Sequence, residues 1–117
     1  MPETDKKIEV VFYQSAAGSE PVRDWLKEDV SEDERKIIGA DIKTVEYSWP
    51  IGMPVSRPMG SGLHEVRSNL PGNRMARVLF CVENGQMVLL HGFIKKTRAT
   101  QKADLDLAKT RKKEIES

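Results

Sequence analysis

The chain has 117 residues, of which 38% are apolar, and this is the size of one ordinary domain, so we expect a single domain over residues 1–117. No apolar run approaches the roughly 20 residues that cross a bilayer, and one cysteine and two histidines give no metal-ligand spacing, which predicts a cytoplasmic protein with no membrane partner, metal or cofactor. The net charge is uneven: residues 1–59 hold 8 Lys and Arg against 12 Asp and Glu, whereas residues 60–117 hold 11 against 6, which favours a basic face for nucleic acid over chance clustering of solvated lysines.

One strand and two helices are predicted in the first half of the chain. Residues 8–13 (IEVVFY) are β-branched and aromatic, as is typical of a strand. Residues 19–21 (SEP) combine a capping hydroxyl with a proline, which predicts a first helix over roughly 20–28. Ser31 to Glu34 fits the S-x-x-E capping box, and an apolar stripe within 37–45 then predicts a second helix.

A loop, three strands and a helix are predicted in the second half. Residues 49–62 hold three prolines and three glycines and predict a long surface loop. Strand-like runs separated by short turns predict an antiparallel meander over Leu63–Leu70, Arg74–Val82 and Gln86–Ile94. Residues 99–115 return to a helical pattern, with Thr100 as a possible cap and a buried stripe of Leu105, Leu107 and Ala108. The predicted order is β-α-α-β-β-β-α, an α+β fold whose helices cover one face of an antiparallel sheet and leave the other face partly open.

Strand alternation gathers basic residues on that open face. The apolar sets Ala76, Val78, Phe80, Val82 and Val88, Leu90, Gly92, Ile94 are expected to face the helices. The opposite face then receives Glu65, Arg67, Arg77, His91, Phe93 and Lys95, with Lys96 and Arg98 at its edge. Guanidinium groups grip phosphate oxygens and an aromatic ring can stack on an unpaired base, so this face suits single-stranded RNA.

Each of these residues also has a purely structural interpretation. Arg67 and Glu65 can form a cross-strand ion pair, Phe93 can pack under the last helix, and a lone histidine such as His91 is more often structural than functional. His64 falls on the predicted core face and Cys81 lacks a nucleophile motif, so covalent catalysis through either is unsupported. No nucleotide-binding loop, esterase elbow or zinc-protease motif is present in the sequence.

Three runs of sequence carry a family resemblance. Residues 63–67 (LHEVR), 77–80 (RVLF) and 90–97 (LHGFIKKT) resemble the phage-derived HigB-like branch of the RelE/ParE toxin superfamily. Residues 21–26 (PVRDWL) and the helix after Lys96 are similar to the first and last helices of that family, so the resemblance covers nearly the whole chain. The H-G-F-x-K-K-T segment is its most specific part.

The resemblance implies a RelE/ParE-like fold and the toxin of a type II toxin–antitoxin pair. Such a toxin is a metal-independent endoribonuclease that cleaves mRNA on the ribosome and is silenced by a cognate antitoxin protein. Carried over by position, it implies that Arg67, Arg77, Lys95 and Lys96 bind and polarise the scissile phosphate. We therefore predict catalytic roles for Arg67, Arg77, His91 and Lys95 and RNA-binding roles for Glu65, Arg74, Phe93, Lys96 and Arg98. For the general base and acid, His91 is the first candidate, followed by Glu65 and by a lysine beside other cations.

Two alternatives remain open from the sequence. The same fold is used by ParE-like inhibitors of DNA gyrase, which poison their target without ribonuclease chemistry. A non-enzymatic nucleic-acid-binding module would also need a basic face. Convergence of Arg, Lys and His on one face favours the ribonuclease.

Overall fold

The computed structural model describes residues 6–52, 55–95 and 102–116, and it forms an α+β domain as predicted. Three helices and five strands follow in the order β-α-α-β-β-β-β-α. Their bounds are β1 Glu9–Phe12, α1 Pro21–Glu28, α2 Glu32–Ser48, β2 Ser56–Gly60, β3 Leu63–Leu70, β4 Arg74–Glu83, β5 Gln86–Lys95 and α3 Lys102–Glu116. None of the helices in these described ranges is long and apolar enough to cross a membrane.

The five strands form one sheet in the order β1-β5-β4-β3-β2. Strands β2 to β5 pair antiparallel, which confirms the predicted meander. Strand β1 pairs with β5 in parallel, however, so the prediction of a wholly antiparallel sheet is wrong at this edge. Two helices lie between β1 and the meander, and a parallel pairing needs a long connection of that kind.

The segment predicted as a long loop contains a strand. Strand β2 (SRPMG) pairs along β3, with Arg57 opposite Glu65 and Pro58 opposite His64. Proline is tolerated there because β2 is an edge strand of the sheet. The proline and glycine content that suggested a loop therefore marks a short edge strand.

Helices α1 and α2 cover one face of the sheet. Ser31 caps α2 as predicted: its Oγ accepts a hydrogen bond from the Glu34 amide at 3.1 Å, and the Glu34 carboxylate accepts one from the Ser31 amide at 2.9 Å. The predicted Ser19 cap of α1 is wrong, because Glu20 occupies the N-cap position without a side-chain cap. The Ser19 hydroxyl instead lies 2.8 Å from that of Ser15. The core on this face includes Val22, Ile38, Ile42, Val45, Val66, Val78, Phe80 and Leu89.

Helix α3 lies on the other face, so the prediction that the helices cover only one face is wrong. A second cluster there consists of Tyr13, Leu63, Leu79, Cys81, Val88, Leu90 and Ala108, with Leu105 packed against it. Leu107, predicted in the buried stripe, is 37% exposed. The predicted cap, Thr100, lies outside the described residues.

A bulge in β5 reverses part of the predicted alternation. Leu79 is opposite His91, but the next residue, Phe80, is opposite Leu89, which leaves Leu90 as the extra residue. Leu89 therefore packs on the α1 and α2 face, whereas Val88 and Leu90 pack against α3. The prediction for Val88 and Leu90 is wrong, while Gly92 and Ile94 lie on the predicted side.

Gly92 of β5 lies against the Trp25 ring of α1. A Cβ atom built on it would lie 2.5 Å from the Trp25 ring, closer than carbon atoms can approach. We expect Gly92→Ala to lower the free energy of unfolding by about 1–3 kcal/mol, measured by urea titration, because the ring must move out of a packed layer. The control is Gly39→Ala in α2, where nothing lies within 4 Å and removing a helical glycine stabilises by up to about 1 kcal/mol. Equal midpoints for the two variants would contradict this packing.

Candidate functional site

Four cationic side chains lie in a diagonal row across four adjacent strands. They are Lys95 on β5, Arg77 on β4, Arg67 on β3 and Arg57 on β2, and we call them the basic row. Arg67 is directly opposite Arg77, and Arg57 is opposite Glu65, the neighbour of Arg67 on the same face. Strands lie about 4.8 Å apart, so the row spans about 14 Å measured across the strands, more than the width of a single phosphate group.

Arg77 is the buried centre of the basic row. Its side chain and that of Glu65 are each 1% exposed, and Arg77 Nε lies 3.7 Å from Glu65 Oε1. Among the described residues, Arg77 Nε and Nη1 have no hydrogen-bond partner. A buried charge with donors left over is costly, and a like charge directly opposite adds to that cost. The sheet therefore holds a cation in a place that stability alone does not favour.

The electrostatics of the basic row confirm an excess of positive charge. Burial lowers the pKa of the Arg77 guanidinium, and Arg67 and Arg57 lower it further, while Glu65 opposes them. The pKa of Lys95 is also lowered, first by burial and then by Arg77, with Glu65 again opposing. Among the described residues that shift these two pKa values, Glu65 is the one carboxylate that opposes the cations of the basic row, and a bound anion would relieve their repulsion.

Sequence reasoning missed Arg57. The residue lies in the proline-rich segment that was predicted to be a loop, and only the pairing of β2 with β3 brings it beside Glu65. No hydrophobic periodicity in that segment marks the strand. The row is therefore one cation longer than the sequence indicates.

His91 lies on the same face of the sheet as Arg77, one strand away. Its Nε2 is 2.7 Å from Oδ1 of Asp104, which belongs to the first turn of α3, and its ring stacks on Phe93 with centroids 5.3 Å apart and planes 22° apart. The His91 and Asp104 side chains are 17% and 23% exposed. Asp104 was also missed, because no sequence pattern shows which strand residue the last helix will meet.

The other predicted RNA-binding residues lie in different parts of the structure or outside the described ranges. Phe93 is half-buried and packs with the α3 cluster, which matches its structural interpretation, and its role as a base platform stays a prediction. Arg74 lies on the opposite face of β4 and forms an ion pair with Glu34 of α2, so the structure does not bring it to the basic row. Lys96 and Arg98 lie outside the described residues.

His64 lies on the face of the sheet that was predicted for it. Its ring is half-buried between Trp49, at a centroid distance of 4.8 Å, and Phe80, at 5.3 Å. Burial lowers the pKa of His64, so the neutral ring is favoured. This environment suits a packing role.

Cys81 is fully buried in the cluster under α3, and burial raises its pKa to about 11. At pH 8 only about one thiol in a thousand is then the reactive thiolate. We expect iodoacetamide to leave the folded protein unlabelled at pH 8 and to label it fully in denaturing urea, as read by mass spectrometry. Labelling of the folded chain at the rate of a free thiol would contradict this burial.

A comparison with known protein families shows which family the chain belongs to. The fold and the site together define a class of protein: a small α+β domain whose sheet carries a partly buried cationic face. The sequence model of the family described as phage-derived protein Gp49-like (DUF891) matches residues 24–113, which include the whole basic row, and the chain belongs to this family. The family is typically associated with RelE/ParE-like toxins, which indicates a toxin-like module. No protein of curated function matches the chain.

Proposed function

We propose that the chain is the toxin of a type II toxin–antitoxin pair, in the HigB-like branch of the RelE/ParE superfamily, and that it cleaves mRNA on the ribosome in the cytoplasm. Membership of the Gp49-like family supports a role as a toxin. The observation that supports ribonuclease activity is the burial of Arg77, whose side chain is 1% exposed at the centre of the basic row. A fixed charge in a water-poor site stabilises developing negative charge far better than the same charge in water.

The basic row fits metal-free cleavage of an RNA backbone. In that reaction the 2′-hydroxyl oxygen forms a bond to the adjacent phosphorus and the bond from phosphorus to the 5′-oxygen breaks, giving a 2′,3′-cyclic phosphate and a 5′-hydroxyl. Negative charge builds on the phosphate oxygens in between. Arg57, Arg67 and Lys95 are at least partly exposed and can contact these oxygens, while Arg77 acts from beneath them.

Two side chains on β5 suit the proton transfers. The 2′-hydroxyl must lose a proton, and His91 is the base that takes it. The 5′-oxygen must gain a proton, and Lys95 is the acid that gives it, because burial and Arg77 lower its pKa below that of an ordinary lysine. Exchange with solvent then returns both groups to their starting state.

A cognate antitoxin protein is the expected partner. Masking the basic row with an acidic segment would block RNA and also relieve the repulsion among its cations. An antitoxin encoded in the neighbouring reading frame would then restore growth when it is produced together with this chain.

The test is to induce the chain in cells, with and without the neighbouring reading frame, and to map mRNA 5′ ends. We expect new ends inside coding regions and growth arrest, both suppressed when the neighbouring frame is present. Stable mRNA together with DNA-damage signalling would contradict the proposal and point to gyrase inhibition. Salt-sensitive binding to RNA without any cleavage product would point to a binding module.

A further inference from the structure

We infer that Asp104 is the positioning residue for His91, and that its carboxylate holds the hydrogen of Nε2 so that Nδ1 is the nitrogen open to the substrate. The consequence for cleavage rests on the proposed function. The tautomer itself does not, because it follows from the contact between β5 and α3 alone.

The contact fixes which nitrogen carries the hydrogen. An ionised carboxylate only accepts hydrogen bonds, so at 2.7 Å the His91 Nε2 must be the donor. In the neutral ring the lone pair is then on Nδ1, the atom that can take a proton. Without Asp104 the ring could adopt either tautomer, and only the Nε2–H tautomer has its lone pair on Nδ1.

The ring is held at a second point. Phe93 stacks against the His91 ring, which restrains the ring plane, while Asp104 restrains rotation within that plane. Phe93 is the register partner of Arg77, and His91 lies two residues away on the same face of β5, opposite Leu79, so the imidazole is one strand away from the centre of the basic row. Two restraints on one histidine match what proton transfer in a fixed geometry requires.

Tethering of α3 to the sheet is the competing explanation for this pair. Helix α3 already packs through Ala108, which is fully buried, and through Leu105. The pair is mostly buried, with side chains 17% and 23% exposed, so it can also strengthen that packing. Measurements of the ring nitrogens separate the two explanations, because a tether alone does not require one tautomer for function.

The first measurement is the ¹⁵N spectrum of the imidazole nitrogens in the full chain at a pH where the ring is neutral. The protein has two histidines, so a His64→Gln variant assigns the signals. We expect His91 as the Nε2–H tautomer, and a shift toward Nδ1–H in Asp104→Asn, whose amide can donate to Nε2. Asp106→Asn is the matched control, because Asp106 pairs with Lys102 at 3.0 Å in the same helix. An Nδ1–H tautomer in the parent protein, or an unchanged spectrum in Asp104→Asn, overturns the inference.

The second measurement is mRNA cleavage by the same variants. We expect Asp104→Asn to lower the cleavage rate at least tenfold. The decrease should not exceed that of His91→Gln, which removes the roughly 10²- to 10⁴-fold contribution of a general base. The double variant should cleave at the rate of His91→Gln alone, since Asp104 acts through His91. Asp104→Glu should recover part of the loss, and Asp106→Asn should cleave normally. Parental cleavage by Asp104→Asn overturns the positioning role. If the parent protein cleaves no RNA, the proposed function fails, and the nitrogen spectrum still decides the inference.

Discussion

Arg77→Gln is expected to reduce mRNA cleavage by about 10²-fold or more while the protein stays folded. Arg77 supplies charge from a buried position, and removing one preorganised group of this kind from a water-poor site has an effect of that size. Glutamine removes the charge but keeps a polar side chain with N–H donors. Cleavage is measured with purified protein in a reconstituted translation reaction, and folding by circular dichroism and the urea midpoint.

The matched control for this variant is Arg74→Gln. Arg74 is on the same strand, three residues away, but its side chain pairs with Glu34 of α2 on the opposite face. We expect it to cleave at nearly the parental rate. Equal losses in the two variants, or undiminished cleavage and growth arrest by folded Arg77→Gln, would show that the basic row is not the site.

Replacing Glu65 and Arg77 together with apolar residues is expected to abolish cleavage and to raise the free energy of unfolding by about 1–4 kcal/mol. Both side chains are 1% exposed and their charged atoms are 3.7 Å apart, so their attraction does not repay the loss of hydration. Glu65→Leu with Arg77→Met keeps similar volumes and also removes the repulsion between Arg77 and Arg67. The change is measured by urea unfolding.

The single variants of Glu65 and Arg77 complete a double-mutant cycle for this pair. Glu65→Leu alone leaves the Arg77 charge buried without its carboxylate and should destabilise by about 3–5 kcal/mol. The double variant should therefore be more stable than Glu65→Leu and than the parent protein. A double variant less stable than the parent would mean that the pair is kept for stability, which is contrary to a functional origin of the buried charge.

Local patterns were enough to predict most elements of the fold. The capping box at Ser31 begins α2, and the meander strands Leu63–Leu70, Arg74–Glu83 and Gln86–Lys95 lie within one residue of their predicted bounds. These features depend on neighbours in sequence. The parallel pairing of β1 and the placement of α3 do not, because they depend on which distant surface each element meets. The bulge at Leu90 likewise follows from pairing with β4 and not from composition.

The candidate site was predictable where alternation holds and not elsewhere. Arg67, Arg77 and Lys95 share a face because β3, β4 and the end of β5 alternate regularly. Arg57 was not predicted because its strand has no apolar period, and Asp104 was not predicted because a helix far along the chain brings it to His91. The burial of Arg77 was also unexpected, since an arginine on a predicted open face should be solvated.

The most direct test of the central claim is the chemistry of the cut ends. Purified protein is added to a translation reaction with a defined mRNA, and the fragments are analysed for their termini. Attack by the substrate's own 2′-hydroxyl predicts 2′,3′-cyclic phosphate and 5′-hydroxyl ends with the parent protein, and about 10²-fold fewer such ends with Arg77→Gln. Intact mRNA under full translation, or as many such ends with Arg77→Gln as with the parent, would contradict the account.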